Sequence, residues 1–284
     1  MGEAARSFRV ATWLGWQIES NWADPFLFLI YSIVKPVTSV MILVVMYWVI
    51  ARTDTSSAYF AYMYLGNTAY IYVGSILVGV SWAIIDDREH YQTLKYIYIS
   101  PIRIYFYLLG RGMARFLTGT LSVVVTMAFG LLFLNLSINL AEVNWLYFTA
   151  SMVLGLASMA VMGLLLGAAT LQMARHYWSV GESVAGALYL LCGAIFPVDS
   201  LPDWLQPVSM ALPLTYWLES LRRSLLGSEA SKEISPSLAR FSDSQLLLIL
   251  LVSTLIMTFV SIYFFRWSEH QAREKGLIDM TTQY

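Results

Sequence analysis

The sequence predicts an all-α membrane protein, because its composition, its scarcity of charge and its long apolar stretches agree. Of 284 residues, 58% are hydrophobic and 12% are charged, whereas soluble domains have roughly 45–50% apolar and about 25% charged residues. The mean hydropathy is +0.63, so the charged side chains are too few to cover a soluble globule. A soluble enzyme is therefore disfavoured, and a disordered chain would need the opposite composition.

The charge balance and the single cysteine argue against three further features: a nucleic-acid partner, a disulfide within the chain and a zinc site. Lys and Arg number 17 and Asp and Glu number 18, which gives a net charge of −1 and argues against a nucleic-acid partner. Cys192 cannot form a disulfide within the chain, and no His and Cys residues have zinc-ligand spacing. We therefore expect no metal site and no nucleic-acid interface.

The sequence predicts one membrane domain that covers residues 1–284. Six apolar stretches in it are long enough to be membrane-spanning helices, which need roughly 20 residues each. They cover residues 25–50, 59–85, 105–136, 145–173, 177–196 and 245–267. A β-barrel would show alternating segments of about ten residues, but residues 121–134 and 246–260 are continuously apolar. The prediction is six transmembrane helices.

The distribution of Lys and Arg predicts that both termini lie in the cytoplasm. With the N-terminus inside, eleven basic residues are cytoplasmic: Arg6, Arg9, Arg88, Lys95, Arg103, Arg111, Arg115, Arg175, Arg266, Arg273 and Lys275. Five lie outside, namely Arg52, Arg222, Arg223, Lys232 and Arg240, and Lys35 falls within the first span. We expect a multi-pass protein of the cell (inner or plasma) membrane whose residues 268–284 form a cytoplasmic tail.

Residues 6–22 have the pattern of an amphipathic helix lying at the membrane interface. One predicted face carries apolar residues: Phe8, Val10, Ala11, Leu14, Ile18 and Trp22. The other carries Arg6, Arg9, Thr12, Gln17, Glu19 and Ser20. The alternative is a leader helix that only anchors the chain.

A polar cytoplasmic segment, residues 86–100, separates the second and third spans. It opens with Asp86, Asp87, Arg88 and Glu89. A helix here would place Leu94, Ile97 and Tyr98 on one side and project its charges towards the cytosol, and Pro101 would end it at Ser100. The alternative is a solvated loop that sets topology through its basic residues.

At this segment the chain resembles the permease subunits of the ABC-2 family of ATP-binding-cassette exporters. Those chains have an acidic run, then Gly-Thr-Leu-Glu, then Ser/Thr-Pro. The matching residues here are Asp86, Asp87 and Glu89, then Thr93 and Leu94, then Ser100 and Pro101; Gln92 replaces the glycine and Lys95 the acid. The resemblance implies that residues 86–100 are the coupling helix, which docks on the ATPase subunit.

A second match follows the fifth span, where residues 196–223 hold four of the chain's eight prolines. Proline at this spacing forbids a continuous helix and predicts short broken helices. The family has a similar Leu-Pro-x-Trp-Leu and Asn-Pro-Leu-Thr, with Leu212 replacing the asparagine here. The resemblance implies re-entrant helices over residues 197–224 that form an extracellular cap, with Phe196, Pro197, Pro202, Trp204, Leu205, Pro213 and Thr215 as its matched residues.

The chain has no Gly-x4-Gly-Lys-Ser/Thr loop to hold phosphates. We therefore expect no catalytic residue and no cofactor on this chain, with ATP and Mg bound by a separate ATP-binding cassette subunit and with ATPase activity confined to the complex. An ion-coupled secondary transporter is one alternative class, and it would need no such partner. The scarcity of acidic residues within the spans counts against it. A membrane-embedded lipid enzyme is the other class left open, although His90, His176 and His270 form no recognisable constellation.

Charged and aromatic residues inside the spans are the candidates for a translocation path. They are Lys35, Tyr70 and Tyr72. For the two tyrosines, helix packing or a place in the aromatic belt at the interface is the favoured alternative. Lys35 either lines the path or steadies the helix break at Pro36. Glu182 lies five residues after the start of its span, so its side chain is expected to reach the cytoplasmic interface. Ser151, Gly155, Gly163 and Gly167 have the spacing of close helix contacts, either within the chain or at a dimer seam.

The function that the resemblance implies is export of a hydrophobic drug-like or lipid-like substrate by a homodimer or heterodimer of permease chains. A lipid-linked glycan is the alternative substrate of the same family. The sequence leaves the substrate, the second chain and the roles of Cys192, Lys35 and Glu182 open.

Overall fold

The computed structural model describes residues 2–21, 25–51, 57–136, 138, 142–173 and 177–278, and no β-strand occurs among them. The helices, in chain order, are α1 Glu3–Asn21, α2 Pro25–Ala51, α3 Ala58–Tyr72, α4 Gly79–Ile85, α5 Leu94–Ile99, α6 Ile104–Phe133, α7 Trp145–Gln172, α8 Tyr177–Leu191, α9 Gln206–Ala211, α10 Pro213–Leu226, α11 Ser228–Ile234, α12 Pro236–Ala239 and α13 Asp243–Glu274. Trp22 of the predicted interfacial helix and residues 279–284 of the predicted tail lie outside the described residues.

Five helices in the described part of the chain are long and apolar enough to cross a membrane. They are Ser32–Ile50, Ala58–His90, Ile104–Phe133, Trp145–Gln172 and Asp243–Glu274. The fifth predicted span, residues 177–196, corresponds to α8, which has 15 residues and ends at Leu191, where roughly 20 are needed. The chain is an all-helical multi-pass membrane protein, and the total of six spans stays a prediction.

The second span is one continuous helix, Ala58–His90, that contains two π-helical turns. The first, Val73–Val78, joins α3 to α4, and the second, Asp86–His90, extends α4. A π-helical turn displaces the side chains that follow it and often marks a functional site. Residues 86–90 therefore continue the spanning helix instead of starting the predicted helix over residues 86–100.

The N-terminal helix α1 packs along the first half of α6. Its contact stripe consists of small residues, Ser7, Ala11 and Gly15, all of which are buried. A Cβ atom at Gly15 would lie 2.8 Å from the Ala114 side chain. Val10, which the sequence placed on the apolar face, is exposed, because close helix packing uses small side chains and leaves the large ones for lipid.

Helix α2 continues through Pro36 instead of breaking there. Proline has no N–H to donate to the carbonyl four residues earlier, which is that of Ser32. The Ser122 hydroxyl of α6 lies 3.4 Å from the Ser32 carbonyl oxygen and donates a hydrogen bond to it. Ser122, and not Lys35, therefore satisfies this group.

The small residues of α7 pack against helices of the same chain. A Cβ atom at Gly155 would collide with the indole ring of Trp217 in α10. At Gly163 it would lie 2.9 Å from Val80, and at Gly167 it would lie 2.7 Å from Ile84. These positions serve packing within the chain and are not free to form a dimer seam.

Candidate functional site

A buried charge network lies at the end of the second span. The Arg111 Nη1 atom of α6 lies 2.9 Å from Asp87 Oδ1, and the Tyr107 hydroxyl donates to Asp87 Oδ2 at 2.8 Å. Asp86 Oδ2 lies 3.9 Å from Arg111 Nη2. The side chains of Arg111 and Asp87 are 4% and 2% exposed, so α6 and the second span are joined by a desolvated ion pair.

The next two charges of the segment are also turned inward. Arg88 Nε lies 2.9 Å from Glu89 Oε1, and the Arg88 guanidinium donates to the carbonyl oxygens of Thr170 and Met173 at 3.4 and 3.1 Å. The prediction that these charges project towards the cytosol is therefore wrong. The carbonyl partners of Arg88 belong to α7 and its end, which a local charge pattern does not reveal.

The short helix α5 follows a tight turn at residues 91–93. Gln92 has a φ of 51°, the left-handed conformation that glycine adopts without cost. The Thr93 N–H donates to the Asp87 carbonyl at 2.8 Å, which holds the turn to the end of the spanning helix. At the other end Ser100 is extended, as the proline at position 101 requires.

The two faces of α5 differ in burial. Leu94 and Ile97 are buried in a cluster with Phe265 and Ala272 of α13, as the spacing predicted. The opposite face is open: Ile99 is 82% exposed and Tyr96 is 59% exposed. One face of α5 thus rests on the bundle, and the other is available to a partner.

The structure places the predicted coupling residues in three groups. Asp87, Arg88, Glu89 and Leu94 are buried, Asp86, Thr93 and Ser100 are partly buried, and Pro101 is exposed. The sequence analysis did not single out Tyr96 and Ile99, which are the most exposed apolar side chains of the segment. The signal for them was the presence of apolar residues on the side of the helix opposite Leu94 and Ile97.

The N-terminal helix α1 is tied to the same region. Glu19 Oε1 lies 2.8 Å from Arg115 Nη2 of α6. Burial raises the pKa of the Glu19 carboxyl, and the charge of Arg115 opposes that shift. The Arg115 side chain in turn packs against Gly79 of the second span. Arg111, Arg115 and Tyr107 were not predicted as site residues, although two arginines in an apolar stretch were a signal.

A cavity of about 670 Å³ lies between α2, the second span, α6 and α8. The first π-helical turn forms part of its wall through Gly74, Ser75 and Val78. The volume falls in the range of roughly 300–1,000 Å³ that is typical of ligand sites.

The predicted path residues divide between this cavity and the core. Lys35 and Tyr70 line the cavity, and so does Glu182. Tyr72 is not among the lining residues; its ring stacks on Phe116 at 5.6 Å, and its hydroxyl donates to Thr120 Oγ1 at 3.2 Å.

Short helices separated by prolines follow α8, as the proline spacing predicted. Among the predicted cap residues, Pro197, Pro213 and Thr215 are buried, Leu205 is partly buried, and Phe196, Pro202 and Trp204 are exposed. Pro213 opens α10, and the Thr215 hydroxyl donates to the Ser209 carbonyl at 2.7 Å. The re-entrant placement of these helices stays a prediction.

A second buried charge network holds α10 to the beginning of the second span. Glu219 Oε1 accepts from Arg223 Nε at 2.9 Å, and Glu219 Oε2 accepts from the Tyr62 hydroxyl at 3.1 Å. The Arg222 guanidinium lies 3.8 Å from the Tyr62 ring centroid and donates to the carbonyl oxygens of Tyr62, Gly193 and Ala194. No local pattern predicts this network, because its members are up to 160 residues apart.

The two networks lie at opposite ends of the same helix. Tyr62 and Asp87 are 25 positions apart, which corresponds to about 37 Å at 1.5 Å per residue. A bilayer core is roughly 30 Å thick. The two buried networks are therefore separated by a distance that matches the thickness of a bilayer core, and the cavity lies between them.

The fold and this layered site define a multi-pass helical membrane protein built around an intramembrane cavity. A sequence profile described as ABC-2 type transporter matches residues 6–226. The chain therefore belongs to the ABC-2 transporter family and is a membrane permease of that family. Such permeases generally work with an ATP-binding cassette subunit. No curated protein matches the chain.

Proposed function

We propose that the chain is the permease subunit of an ABC-2 exporter, which moves a hydrophobic drug-like or lipid-like substrate out of the cell. Two such chains, identical or different, assemble with two ATP-binding subunits. Both termini lie in the cytoplasm, so the end of the second span and α5 face the ATPase. The helices after α8 then lie on the outer side.

The observation that carries this proposal is the two-faced burial of α5. Burying an isoleucine side chain contributes roughly 1.5–3 kcal/mol, so the exposed Ile99 and Tyr96 are a substantial apolar surface for a water-facing segment. In the ABC-2 family, the partner that would cover this surface is the ATPase subunit, which would receive α5 in a cleft.

The contacts of α5 give a route for motion into the membrane. A displacement of α5 acts on the second span through the turn at residues 91–93 and on α13 through Leu94 and Ile97. The Asp87–Arg111 pair then carries movement of the second span to α6. All three elements are packed helices, which transmit displacements because protein interiors are dense and stiff.

The chain itself performs no catalysis in this proposal. ATP and Mg bind to the partner subunit, and hydrolysis there resets the cycle. The cavity between α2 and α8 holds the substrate, and the short helices around the Glu219 network cap its exit.

The test is affinity purification of the tagged chain from its native membrane in mild detergent, followed by mass spectrometry and an ATPase assay. The variant is Tyr96→Ser/Ile99→Ser, which removes the exposed face of α5 and leaves its buried face intact. The matched control is Phe196→Ser/Trp204→Ser, two exposed apolar residues in the cap segment.

We expect an ATP-binding subunit in near-stoichiometric amount with the wild type and the control. Its recovery falls at least tenfold with the α5 variant, since each 1.4 kcal/mol lost is about tenfold in affinity. A wild-type chain that purifies without any ATPase contradicts the proposal. Equal recovery with the α5 variant contradicts the docking role of that face.

A further inference from the structure

Two opposite charges line the cavity from different walls. Lys35 belongs to α2 and Glu182 to α8, and both side chains are exposed. The third charged lining residue, Arg115, is held by Glu19 at 2.8 Å. Within the described part of the chain, neither Lys35 nor Glu182 has an ion-pair partner.

The two walls are different helices that pack on different stretches of the second span. Helix α2 packs on α6 and α3, whereas α8 packs on the first π-helical turn and on α4. Lys35 lies in the candidate span Ser32–Ile50, where an unpaired charge is costly and marks a ligand or ion pathway. Glu182 lies on α8 and lines the same cavity. The cavity thus separates a cation from an anion and leaves each to be neutralised by its contents.

The aromatic and aliphatic part of the lining suits an apolar body. The Tyr70 and Tyr189 rings lie 4.8 Å apart, and their hydroxyls donate to the Ala185 carbonyl and to Asn67 Oδ1. Because these hydroxyls are already bonded, the rings present their apolar surface. Trp82 and Ile71 add further hydrophobic surface.

We propose that this cavity takes a zwitterionic amphiphile, with its anionic group at Lys35, its cationic group at Glu182 and its apolar part against the aromatic lining. A purely anionic amphiphile would leave the charge of Glu182 without a partner. A purely cationic amphiphile would leave the charge of Lys35 without a partner. The inference rests on the proposed function, because it names the substrate class of that transport site.

The experiment measures binding of three lipids to the purified full-length chain by native mass spectrometry. The probes share dioleoyl chains and differ in headgroup charge: zwitterionic phosphatidylethanolamine, anionic phosphatidylglycerol and cationic trimethylammonium-propane. The variants are Lys35→Gln, Glu182→Gln and the exchange Lys35→Glu/Glu182→Lys. The matched control is Glu229→Gln/Lys232→Gln, which neutralises one acid and one base outside the cavity, 2.9 Å apart.

The wild type and the control bind the zwitterion at least tenfold more tightly than either charged lipid. Each single variant loses roughly tenfold to hundredfold of zwitterion affinity, the value of one charge-assisted contact. Lys35→Gln then favours the cationic lipid and Glu182→Gln the anionic one. The exchange variant retains the zwitterion preference.

Equal binding of all three lipids by the wild type, or unchanged preferences in both single variants, overturns the proposal. The conservative single variants decide the matter if the exchange variant does not fold. Unchanged lipid preferences in a chain that still captures its ATPase refute the substrate class alone. A wild-type chain that captures no ATPase refutes the proposed function, whichever lipid it binds.

Discussion

Removing Arg111 from the inner charge network is the sharpest test of the link between the second span and α6. Arg111→Met leaves Asp87 buried with only the Tyr107 hydroxyl as partner. Deleting one member of a buried ion pair costs about 3–5 kcal/mol. Asp87→Asn keeps the volume and leaves Arg111 near Asp86, at 3.9 Å, so we expect a smaller cost of about 2 kcal/mol.

The double variant should cost far less than the sum, because the second change removes the group that the first left unpaired. We expect a coupling free energy of about 2–3 kcal/mol, measured by unfolding in mixed micelles with increasing SDS and followed by tryptophan fluorescence. The same cycle on the surface pair of Arg273 and Glu269, which are 2.6 Å apart with side chains 56% and 18% exposed, should give about 0.5 kcal/mol. Additive costs for Arg111 and Asp87, within about 0.5 kcal/mol, would refute the argument.

Three further predictions concern stability, two measured by the same unfolding assay and the glycine pair by the yield of folded protein. Gln92→Gly should stabilise the protein by about 0.5–1 kcal/mol, because a left-handed residue other than glycine is strained; a loss of stability contradicts this. Gly155→Val should abolish folded protein through collision with Trp217, whereas Gly74→Val, where a Cβ meets open space, should not; similar folded yields of the two variants contradict the packing. Arg222→Lys should cost about 2–3 kcal/mol, since an ammonium group cannot replace the planar guanidinium that serves three carbonyls; a neutral effect contradicts that role.

Hydropathy and local spacing predict much of this fold. The long spans follow from length and composition alone, and the spacing of Leu94 and Ile97 predicts which side of α5 is buried. Pro101 likewise predicts the end of that helix. These features depend on neighbouring residues, which periodicity captures.

The charge networks could not be predicted in the same way. A run such as Asp86 to Glu89 suggests a solvated segment until its partners are known, and Arg111 lies 24 positions after Asp87. The partner of the Ser32 carbonyl was missed for the same reason. The sequence pointed to the nearby Lys35, but the group that donates to this carbonyl is Ser122, which lies 90 positions away. Tertiary partners, and not local pattern, decide whether a charge in such a segment is exposed or buried.

ATP-dependent transport by the purified complex is the measurement that decides the function. The chain and its co-purified ATPase are reconstituted into liposomes that contain fluorescent phosphatidylethanolamine, and its appearance in the opposite leaflet is followed by dithionite quenching. Movement that requires ATP and Mg and is lost with Tyr96→Ser/Ile99→Ser is the predicted result. Movement at the same rate without ATP, or driven by a proton gradient, would contradict the proposal that an ATPase docked on α5 drives this permease.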